Sequence, residues 1–345
     1  MPRPTTERVR RVTDQLRHDI TTSIYQRGDE FPSARAISRR HGVSYQTAHR
    51  VIRQLADEGL LVTRHGSGTF VADAAGHPTR VELRFNRRAE RPRSFGAALL
   101  SLLGDQLSRQ GIPFEICRQG APPPDPDVFS VTWEDETERD TTTDKPGTFG
   151  LALNDRRVHG LAATRIDTVC VDDFSGGVCA AQIIRDQFSG RRTKTDRVAI
   201  LAATDADERS NDRVRGFRSS LAVGRQDVVE AGGWTDADAE AVATDLLARE
   251  PRFVFCCNDR LAAGLLEFCR RDGRETPAIV GFDNAPVAED VALPTVGIPW
   301  REFVAAAVEV IAKRVRGDRS IARRQVFPLQ PVLRASHRPG WAATT

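Results

Sequence analysis

The sequence contains no long hydrophobic run. A membrane-spanning helix needs about 18 or more consecutive apolar residues, and no such stretch occurs in the 345-residue chain. The amino-terminal segment MPRPTTERVRRV also lacks the apolar core of a secretory signal peptide. These two absences predict a protein of the cytoplasm with no membrane partner.

Residue types that carry catalysis or bind metals are scarce or unsuitably spaced. The six cysteines include no C-x-x-C pair, and the seven histidines show no metal-ligand spacing. Cys256 and Cys257 lie in the apolar run FVFCC, where we expect them to be buried. No G-x-S-x-G, H-E-x-x-H or P-loop motif occurs, and the GSG of residues 66–68 lacks the lysine of a phosphate loop. We therefore expect no cofactor, no metal and no enzymatic activity.

Charge is distributed unevenly along the chain. Residues 1–73 hold 12 arginines and 8 carboxylates, a net charge of +4, whereas the remainder holds 38 basic and 39 acidic residues, a net charge of −1. A positive segment on a near-neutral body favours a polyanionic partner for that segment. An excess of this size also fits an ordinary solvated surface, so charge alone leaves both interpretations open.

The amino-terminal segment has the pattern of three helices. The apolar residues Val9, Val12, Leu16, Ile20 and Ile24 recur every three or four positions and predict the first helix. The stretch FPSARAISRRHG places Ser33 at an N-cap and Gly42 just after the helix end. The stretch VSYQTAHRVIRQLADEG repeats this arrangement with Ser44 and Gly59. The following LLVTRHGSGTFVAD alternates around a glycine-bearing turn and predicts a β-hairpin. Together these elements predict a winged helix-turn-helix.

The outer face of the predicted third helix carries polar and aromatic groups, namely Tyr45, Gln46, His49 and Arg50. The corresponding helix of a winged helix-turn-helix enters the DNA major groove, where glutamine can pair with adenine and arginine with guanine or phosphate. Ser44 and Thr47, at the helix start, are short enough to contact phosphate. Arg64 and His65, at the wing tip, can reach the DNA backbone or the minor groove. The alternative is a solvated helix face, but the two capped helices and the basic wing favour DNA binding.

Residues 27–71, RGDEFPSARAISRRHGVSYQTAHRVIRQLADEGLLVTRHGSGTFV, resemble the GntR-type winged helix. The resemblance covers about residues 10–72, and it implies DNA contact by Ser33, Arg35, Ser44, Thr47, His65 and Gly66. Two positions depart from the family pattern, because Tyr45 and His49 stand where the family commonly has arginine. We therefore expect an operator that differs from the usual GntR operators.

The body of the chain has an α/β pattern. After ADAAGHPTR, which is small, turn-forming and typical of a linker, short β-branched runs alternate with longer amphipathic runs from Val81 onward. Residues 120–148 are mostly Pro-rich and acidic, and we predict an irregular segment there. Polar residues between a strand and the next helix are ligand positions in open α/β sheets, and Arg213, Asn258 and Asp283 lie near such junctions.

Several motifs of the body resemble the LacI/GalR-type effector domain, including VCVDDFSGGVCAAQII, FVFCCNDRLAAGLLEFCRRDG, AIVGFDN and PTVGIPWREFVAAAVEVIAKRVRGD. The resemblance is good over about residues 165–336. It implies a fold like the two-lobed periplasmic sugar-binding proteins, with a small ligand, often a sugar or nucleobase, between the lobes. By position, Arg213 and Asp283 match the pair that binds ligand hydroxyl or carboxylate groups, and Asn258 matches a strand-end contact.

Three further residues are weaker ligand candidates. Trp234 falls where relatives place an aromatic ring against the ligand, and the alternative is a plain core tryptophan. Asn86 and Arg87 follow the first strand of the body.

The predicted architecture is an N-terminal winged helix-turn-helix (α+β) followed by an α/β two-lobed periplasmic-binding-protein-like domain. The winged helix occupies residues 1–73, the linker 74–80 and the effector domain 81–340. The first lobe is expected at about 81–192 and 293–320, and the second at about 195–292 and 321–340.

The expected function is regulation of transcription, in a layout that resembles the arabinose-responsive regulators. A repressor of this kind binds a pseudo-palindromic DNA operator as a homodimer and responds to a small effector, here expected to be a sugar or a sugar derivative. One alternative is a solute-binding protein without a regulatory role, which the added winged helix disfavours. Another is fusion to an aminotransferase-like module, but Lys145, Lys194 and Lys313 are the only lysines and none lies in a Schiff-base context.

Overall fold

The chain folds into a small winged helix and two α/β lobes. The computed structural model describes residues 4–21, 24–25, 28–58, 60–64, 68–71, 80–117, 128–133, 149–154, 165–188, 196–204, 207–318 and 320–334. The helices in these ranges are α1 Pro4–Thr21, α2 Ala34–His41, α3 Tyr45–Asp57, α4 Phe95–Arg109, α5 Asp173–Arg185, α6 Glu208–Ser220, α7 Asp236–Leu247, α8 Asp259–Arg271, α9 Pro286–Asp290 and α10 Trp300–Val315. The strands are β1 Leu61–Arg64, β2 Gly68–Val71, β3 Arg80–Phe85, β4 Phe114–Cys117, β5 Val128–Trp133, β6 Gly150–Leu153, β7 Ile166–Val171, β8 Val198–Ala202, β9 Val228–Glu230, β10 Phe253–Cys256, β11 Ala278–Asp283, β12 Thr295–Gly297, β13 Arg324–Phe327 and β14 Gln330–Val332.

The winged helix consists of α1, α2 and α3, closed by the antiparallel pair β1 and β2. Ser33 and Ser44 are the predicted N-caps, and their hydroxyl oxygens accept hydrogen bonds from the backbone N–H groups of Ala36 and Thr47. Gly42 follows α2 with a φ of 62°, a left-handed conformation that glycine adopts at little cost. The predicted winged helix-turn-helix is therefore confirmed.

The apolar periodicity of the first and third helices predicts most of this small core. Ala48, Val51 and Leu55 of α3 are fully buried, and four of the five predicted positions of the first helix lie in the same core. The fifth, Ile24, is 63% exposed. That prediction was wrong because α1 ends at Thr21, so the helical spacing no longer carries Ile24 to the buried face.

Each lobe is built on a six-stranded sheet with helices packed against it. The strand order is β13-β7-β6-β5-β3-β4 in the first lobe, and all of its pairs are parallel. The order is β14-β12-β11-β10-β8-β9 in the second, where β14 alone pairs antiparallel. Helices α4 and α10 complete the apolar core of the first lobe, and α5, α6, α7 and α8 that of the second. Cys256 and Cys257 are fully buried in the second core, as predicted.

The division into lobes differs from the sequence prediction at all three crossings. Helix α5 packs in the second core, although the first lobe was expected to extend to residue 192. Strand β12 pairs within the second sheet, and β13 within the first, the reverse of the expected assignment. The lobe to which each of these short elements belongs is decided by strand pairing and helix packing. Their sequences alone do not indicate the lobe. The chain therefore crosses between β7 and α5, between β12 and α10, and between β13 and β14.

Two helices of the second lobe begin where side chains cap them. Helix α6 begins at Glu208, because Asp207 accepts a hydrogen bond from the backbone of Arg209. Thr235 is the N-cap of α7, in a reciprocal capping box with Asp238.

Candidate DNA interface and ligand cleft

The outer face of α3 is open to solvent. Tyr45, Gln46, His49 and Arg50 are exposed, while the opposite face of the helix forms the core. The rings of Tyr45 and His49 lie 6.3 Å apart between centroids, so they form one aromatic patch on this face. These four predicted DNA-contact residues are therefore on a common surface.

The start of α3 presents polar groups beside this surface. Ser44 Oγ accepts the backbone N–H of Thr47 at 3.1 Å and lies 2.9 Å from Thr47 Oγ1. Ser33 and Arg35, at the start of α2, are also exposed. The first turn of a helix directs backbone N–H groups outward and favours anions, so these positions suit phosphate contact.

Some basic side chains of this unit are ion-paired, as Arg17 is with Glu58, and others are not. Within the part of the chain that the structure describes, Arg35 and Arg50 have no ion pair, and Arg40 donates a hydrogen bond to the hydroxyl of Tyr25 at 3.1 Å. Arg64 is the last residue of β1. The predicted wing residues His65 and Gly66 lie outside the described residues, as does most of the predicted linker.

A cleft with a cavity volume of about 50 Å³ lies between the two lobes. Its lining combines cationic, aromatic and amide side chains from both lobes. The first lobe contributes Arg88, Arg91, Ser94, Phe95, Trp133 and Asn154, and the second contributes Arg209, Arg213, Trp234, Thr235, Asn258, Arg260, Asp283 and Ala285.

Four of the six predicted ligand residues, Arg213, Trp234, Asn258 and Asp283, line this cleft. The other two do not. Asn86 is buried and caps the 3-10 turn Arg87–Glu90, where its Oδ1 accepts the backbone N–H of Arg88 at 2.9 Å. Arg87 is exposed, and the turn instead brings Arg88 to the cleft.

Arg213 is the centre of a buried charge network. Its Nε donates to Asp173 at 2.8 Å, and its Nη1 donates to the carbonyl of Cys257 at 2.5 Å and lies 3.3 Å from Asp283 Oδ1. Its guanidinium also stacks on the ring of Phe282, 3.7 Å from the centroid. Burial alone would lower the pKa of Arg213, but Asp173 and Asp283 raise it above its ordinary value. Arg213 is therefore a permanent cation that holds Asp283 in place.

Asn258 and Trp234 are also tied to the protein through their polar atoms. Asn258 Oδ1 accepts the backbone N–H of Leu261 at 2.8 Å and thereby caps α8, while its Nδ2 donates to the carbonyl of Trp234 at 3.0 Å. The indole N–H of Trp234 donates to Asp207 at 3.2 Å. The bond to Asp207 orients the ring of Trp234.

Ten of the lining residues were not predicted from the sequence, although the positions of some of them indicate a ligand site. Trp133 ends β5 and Asn154 directly follows β6, so the strand-end rule that pointed to Asn258 and Asp283 applies to them as well. Arg260 lies two residues after Asn258 on α8. No local pattern marks the remaining lining residues, such as Arg88, because their position depends on how the lobes meet.

Two carboxyl groups near the cleft are strongly perturbed. Burial raises the pKa of Asp283 to about 7, with Asp173 adding to the shift and Arg213 opposing it. Burial, together with the charge of Asp283, also raises the pKa of Asp259 well above its usual value. Asp283 has a φ of 103°, a conformation that non-glycine residues adopt only when surrounding contacts enforce it. Perturbed carboxyls and enforced backbone at a cleft are typical of binding sites.

The raised pKa of Asp283 predicts how the free energy of unfolding changes with pH. Because the folded protein keeps this proton after the unfolded chain has lost it, the contribution of Asp283 to stability is fully present below about pH 4 and is lost as the pH rises to about 7. The change is at most about 4 kcal/mol. Replacing Asp283 with asparagine removes the titration, so the variant should gain stability relative to the wild type across this window. The free energies of unfolding of both proteins are measured in urea at several pH values. A difference between the two proteins that does not change with pH would contradict the prediction.

Two other kinds of site are absent from the described residues. None of the helices described is long and apolar enough to cross a bilayer. Within the same ranges, no group of three His, Cys, Asp or Glu side chains is arranged to hold a metal ion.

Comparison with known families agrees with the motifs at both ends of the chain. Residues 8–71 match the bacterial regulatory proteins of the gntR family, and residues 191–337 match a periplasmic binding protein-like domain. Both resemblances inferred from the sequence are thereby confirmed over these ranges.

Relatives and solved structures extend the comparison. The HTH-type transcriptional repressor PurR of Vibrio parahaemolyticus is 28% identical over 185 residues, which is 50% of this chain and 53% of PurR. The chain thus spans about half the length of this curated relative. The structure of the transcriptional regulator CelR in complex with cellobiose superposes with a TM-score of 0.61 at 18% identity, covering 89% of this chain and 100% of CelR. A LacI family regulator from Enterococcus faecium with bound ribose gives a TM-score of 0.62 at 20% identity, covering 75% of this chain and 99% of its own. These likenesses confirm the two-lobed fold.

Proposed function

We propose that this chain, a GntR-type winged helix joined to a periplasmic-binding-protein-like domain, is a DNA-binding transcription regulator that acts as a repressor. Its operator affinity is controlled by a small carbohydrate or carbohydrate derivative bound between the lobes. One observation carries the proposal: a helix with an exposed polar and cationic face and a polar inter-lobe cleft occur in the same chain.

In the proposed DNA complex, α3 enters the major groove. Gln46 pairs with adenine, and Arg50 contacts guanine or phosphate. Ser33, Arg35, Ser44 and Thr47 contact the phosphate backbone, and the wing, with Arg64, His65 and Gly66, reaches the backbone or the minor groove. Tyr45 and His49 lie on this face, where proteins with a GntR-type winged helix commonly have arginine. The protein therefore recognises a different base sequence at these positions.

In the proposed switch, ligand binding changes how the lobes meet. Polar contacts already join the lobes, among them three made by arginines. Arg260 Nη1 donates to the carbonyl of Pro92 at 3.1 Å, Arg91 lies 3.7 Å from Asp236, and Arg93 pairs with Asp290. A ligand that bridges the lobes strengthens this arrangement and thereby changes the spacing of two recognition helices in a homodimer on a pseudo-palindromic operator. A coupling free energy of about 1–3 kcal/mol changes operator affinity roughly 5- to 150-fold.

Replacing Arg50 with alanine tests the DNA-binding face. We expect operator affinity to fall roughly 5- to 150-fold, because a base or phosphate contact of arginine is worth about 1–3 kcal/mol. If the contact is to phosphate, the slope of log affinity against log salt should also fall by about 1. The measurement is fluorescence anisotropy with a duplex that the full-length protein selects from a random pool.

The matched control is Arg301→Ala, which removes the same charge from an exposed position on α10, far along the chain from the winged helix. It should leave affinity and salt slope within about twofold of the wild type, since it affects only the general charge of the protein. Equal behaviour of the two variants would contradict the assignment of α3. A protein that binds a ligand but selects no duplex would instead be a solute-binding protein without a regulatory role.

A further inference from the structure

We propose that residues 91–93 of the first lobe form a latch that holds the two lobes closed without help from a ligand, so that the cleft admits a ligand only when the latch breaks. This inference rests on the proposed function and deepens it, because it names what controls access to the same cleft. It follows from the polar contacts of one short segment and from the small volume of the cleft.

The latch segment is fixed to the first lobe. It lies between the 3-10 turn Arg87–Glu90 and helix α4. The backbone N–H of Arg91 donates to the carbonyl of Arg88 at 3.2 Å, and the N–H of Ser94 donates to the carbonyl of Arg91 at 3.3 Å. Ser94 is also the N-cap of α4. The segment is therefore held at both ends and moves with the first lobe.

Two contacts of the latch segment join a charge network in the second lobe. Arg91 Nη1 lies 3.7 Å from Asp236 Oδ1, at the start of α7. Arg260, in the first turn of α8, donates from Nη1 to the carbonyl of Pro92 at 3.1 Å and from Nη2 to Asp236 at 2.7 Å. Asp236 is thus shared by one arginine of each lobe. Charges in such a network stabilise an arrangement more than isolated surface pairs do.

The third contact of the latch segment is the ion pair between Arg93 and Asp290, which ends α9. The two side chains are 56% and 36% exposed, so they can be replaced without disturbing a core. Arg93 has a φ of 62°, a left-handed conformation that is uncommon for a residue other than glycine. All of these contacts are made by protein groups alone, so they hold the lobes together whether or not the cleft is filled.

The cleft in this closed arrangement is too small for the carbohydrate proposed above. Its cavity volume is about 50 Å³. A cavity of about 150 Å³ holds benzene, and a sugar ring with its hydroxyl groups is larger than benzene. A carbohydrate therefore enters only after the lobes separate, and separation breaks the contacts of the latch segment. In the proposed regulator, the latch thus controls how readily the ligand reaches its site.

Hydrogen exchange of two indole N–H groups measures the opening of the lobes. Trp300, which packs in the first lobe, donates its indole N–H to the carbonyl of Asn284 in the second lobe at 3.1 Å. Its exchange requires this inter-lobe bond to break, so the exchange rate is proportional to the fraction of open molecules. The indole N–H of Trp234 donates to Asp207 within the second lobe and serves as the internal control. Both rates are followed by NMR in the full-length protein without ligand or DNA, and each signal is assigned by replacing its tryptophan with phenylalanine.

The variant Arg93→Glu tests the latch. An exposed ion pair changes the ratio of closed to open molecules by roughly 1.4- to 5-fold, and this variant also places like charges together. We therefore expect the exchange of Trp300 to become about fivefold faster or more, and that of Trp234 to stay within about twofold. Asp290→Arg should act in the same way, and combining the two changes should restore slow exchange because the pair re-forms with its charges exchanged.

The matched control is Arg109→Glu, which makes the same charge change at the exposed end of α4. It should leave both exchange rates within about twofold of the wild type. Unchanged exchange of Trp300 in Arg93→Glu would overturn the proposal, as would a double variant that exchanges as fast as the single variants. Equal acceleration of Trp300 and Trp234 would also overturn it, because that result indicates a general loss of stability rather than separation of the lobes.

The outcomes separate this inference from the proposed function, since the exchange rates are measured without DNA. A confirmed latch in a protein that selects no duplex supports this inference and contradicts the regulatory function. Unchanged exchange of Trp300 in a protein that selects a duplex does the reverse.

Discussion

Replacing Gly177 with alanine should destabilise the body of the protein by about 3 kcal/mol or more. A Cβ atom at Gly177 would lie 2.1 Å from the carbonyl oxygen of Arg213 and 2.8 Å from the backbone nitrogen of Phe217. These are backbone atoms of α6, so no side-chain rotation relieves the overlap and the two helices must separate. The reciprocal contact is as close, because a Cβ at Gly216 would lie 1.9 Å from the carbonyl oxygen of Phe174 on α5. Urea unfolding followed by circular dichroism measures the loss.

The control for this variant is Gly104→Ala, also a glycine within a helix. A Cβ there meets only the ring edge of Phe114, at 3.1 Å, and that ring can shift. Alanine is favoured over glycine inside a helix by about 0.5–1 kcal/mol, so this variant should equal or slightly exceed the wild type. If both variants unfold at the same urea concentration as the wild type, α5 and α6 are not in backbone contact. Separation of the helices would also displace Asp173 from Arg213, so Gly177→Ala links the stability of the second lobe to the geometry of the cleft.

Replacing Asp283 with alanine should abolish the ligand response and leave ligand-free DNA binding intact. Asp283 ends β11 at the cleft, and a hydrogen bond between ligand and carboxylate is worth about 1.5–3 kcal/mol, so the ligand should bind roughly 10- to 150-fold more weakly. Arg213 keeps its bonds to Asp173 and to the carbonyl of Cys257, so the cleft retains most of its structure. The measurement is operator affinity with and without ligand.

The control Asp245→Ala removes a carboxylate from an exposed position on α7 and should behave as the wild type. Loss of both DNA binding and the ligand response in Asp283→Ala would indicate misfolding rather than loss of a ligand contact. A full ligand response in that variant would exclude Asp283 from the site.

The candidate site was only partly predictable from the sequence. Asn258 and Asp283 were found because each lies at the end of a strongly apolar strand, and that edge of an open sheet is where ligands bind. Trp133 and Asn154 obey the same rule in the first lobe. They were missed because Trp133 falls within the segment predicted to be irregular, and because the first lobe resembles the family only in its order of elements. Arg87 was predicted in place of Arg88, because a 3-10 turn directs neighbouring side chains differently from an extended strand.

The role of Arg213 shows the same limit. Its position near a helix start pointed to a ligand contact, but its partner Asp173 lies 40 residues away on another helix. Only the packing of α5 on α6 brings the two together. Arg213 is held by its bonds to Asp173 and Cys257, and in that position it holds Asp283 in place.

The winged helix was determined by the sequence itself, since its signals are local. Ser33, Ser44 and Gly42 mark helix ends within a few residues, and a period of 3.6 residues marks the buried face of α3. The division of the body into lobes and the composition of the cleft were decided only by the tertiary structure. Parallel strands pair with partners distant in sequence, and short elements such as β12 and β13 carry no local mark of the sheet they join. The charge balance of the cleft likewise depends on arginines and carboxylates that are brought together by the meeting of two lobes.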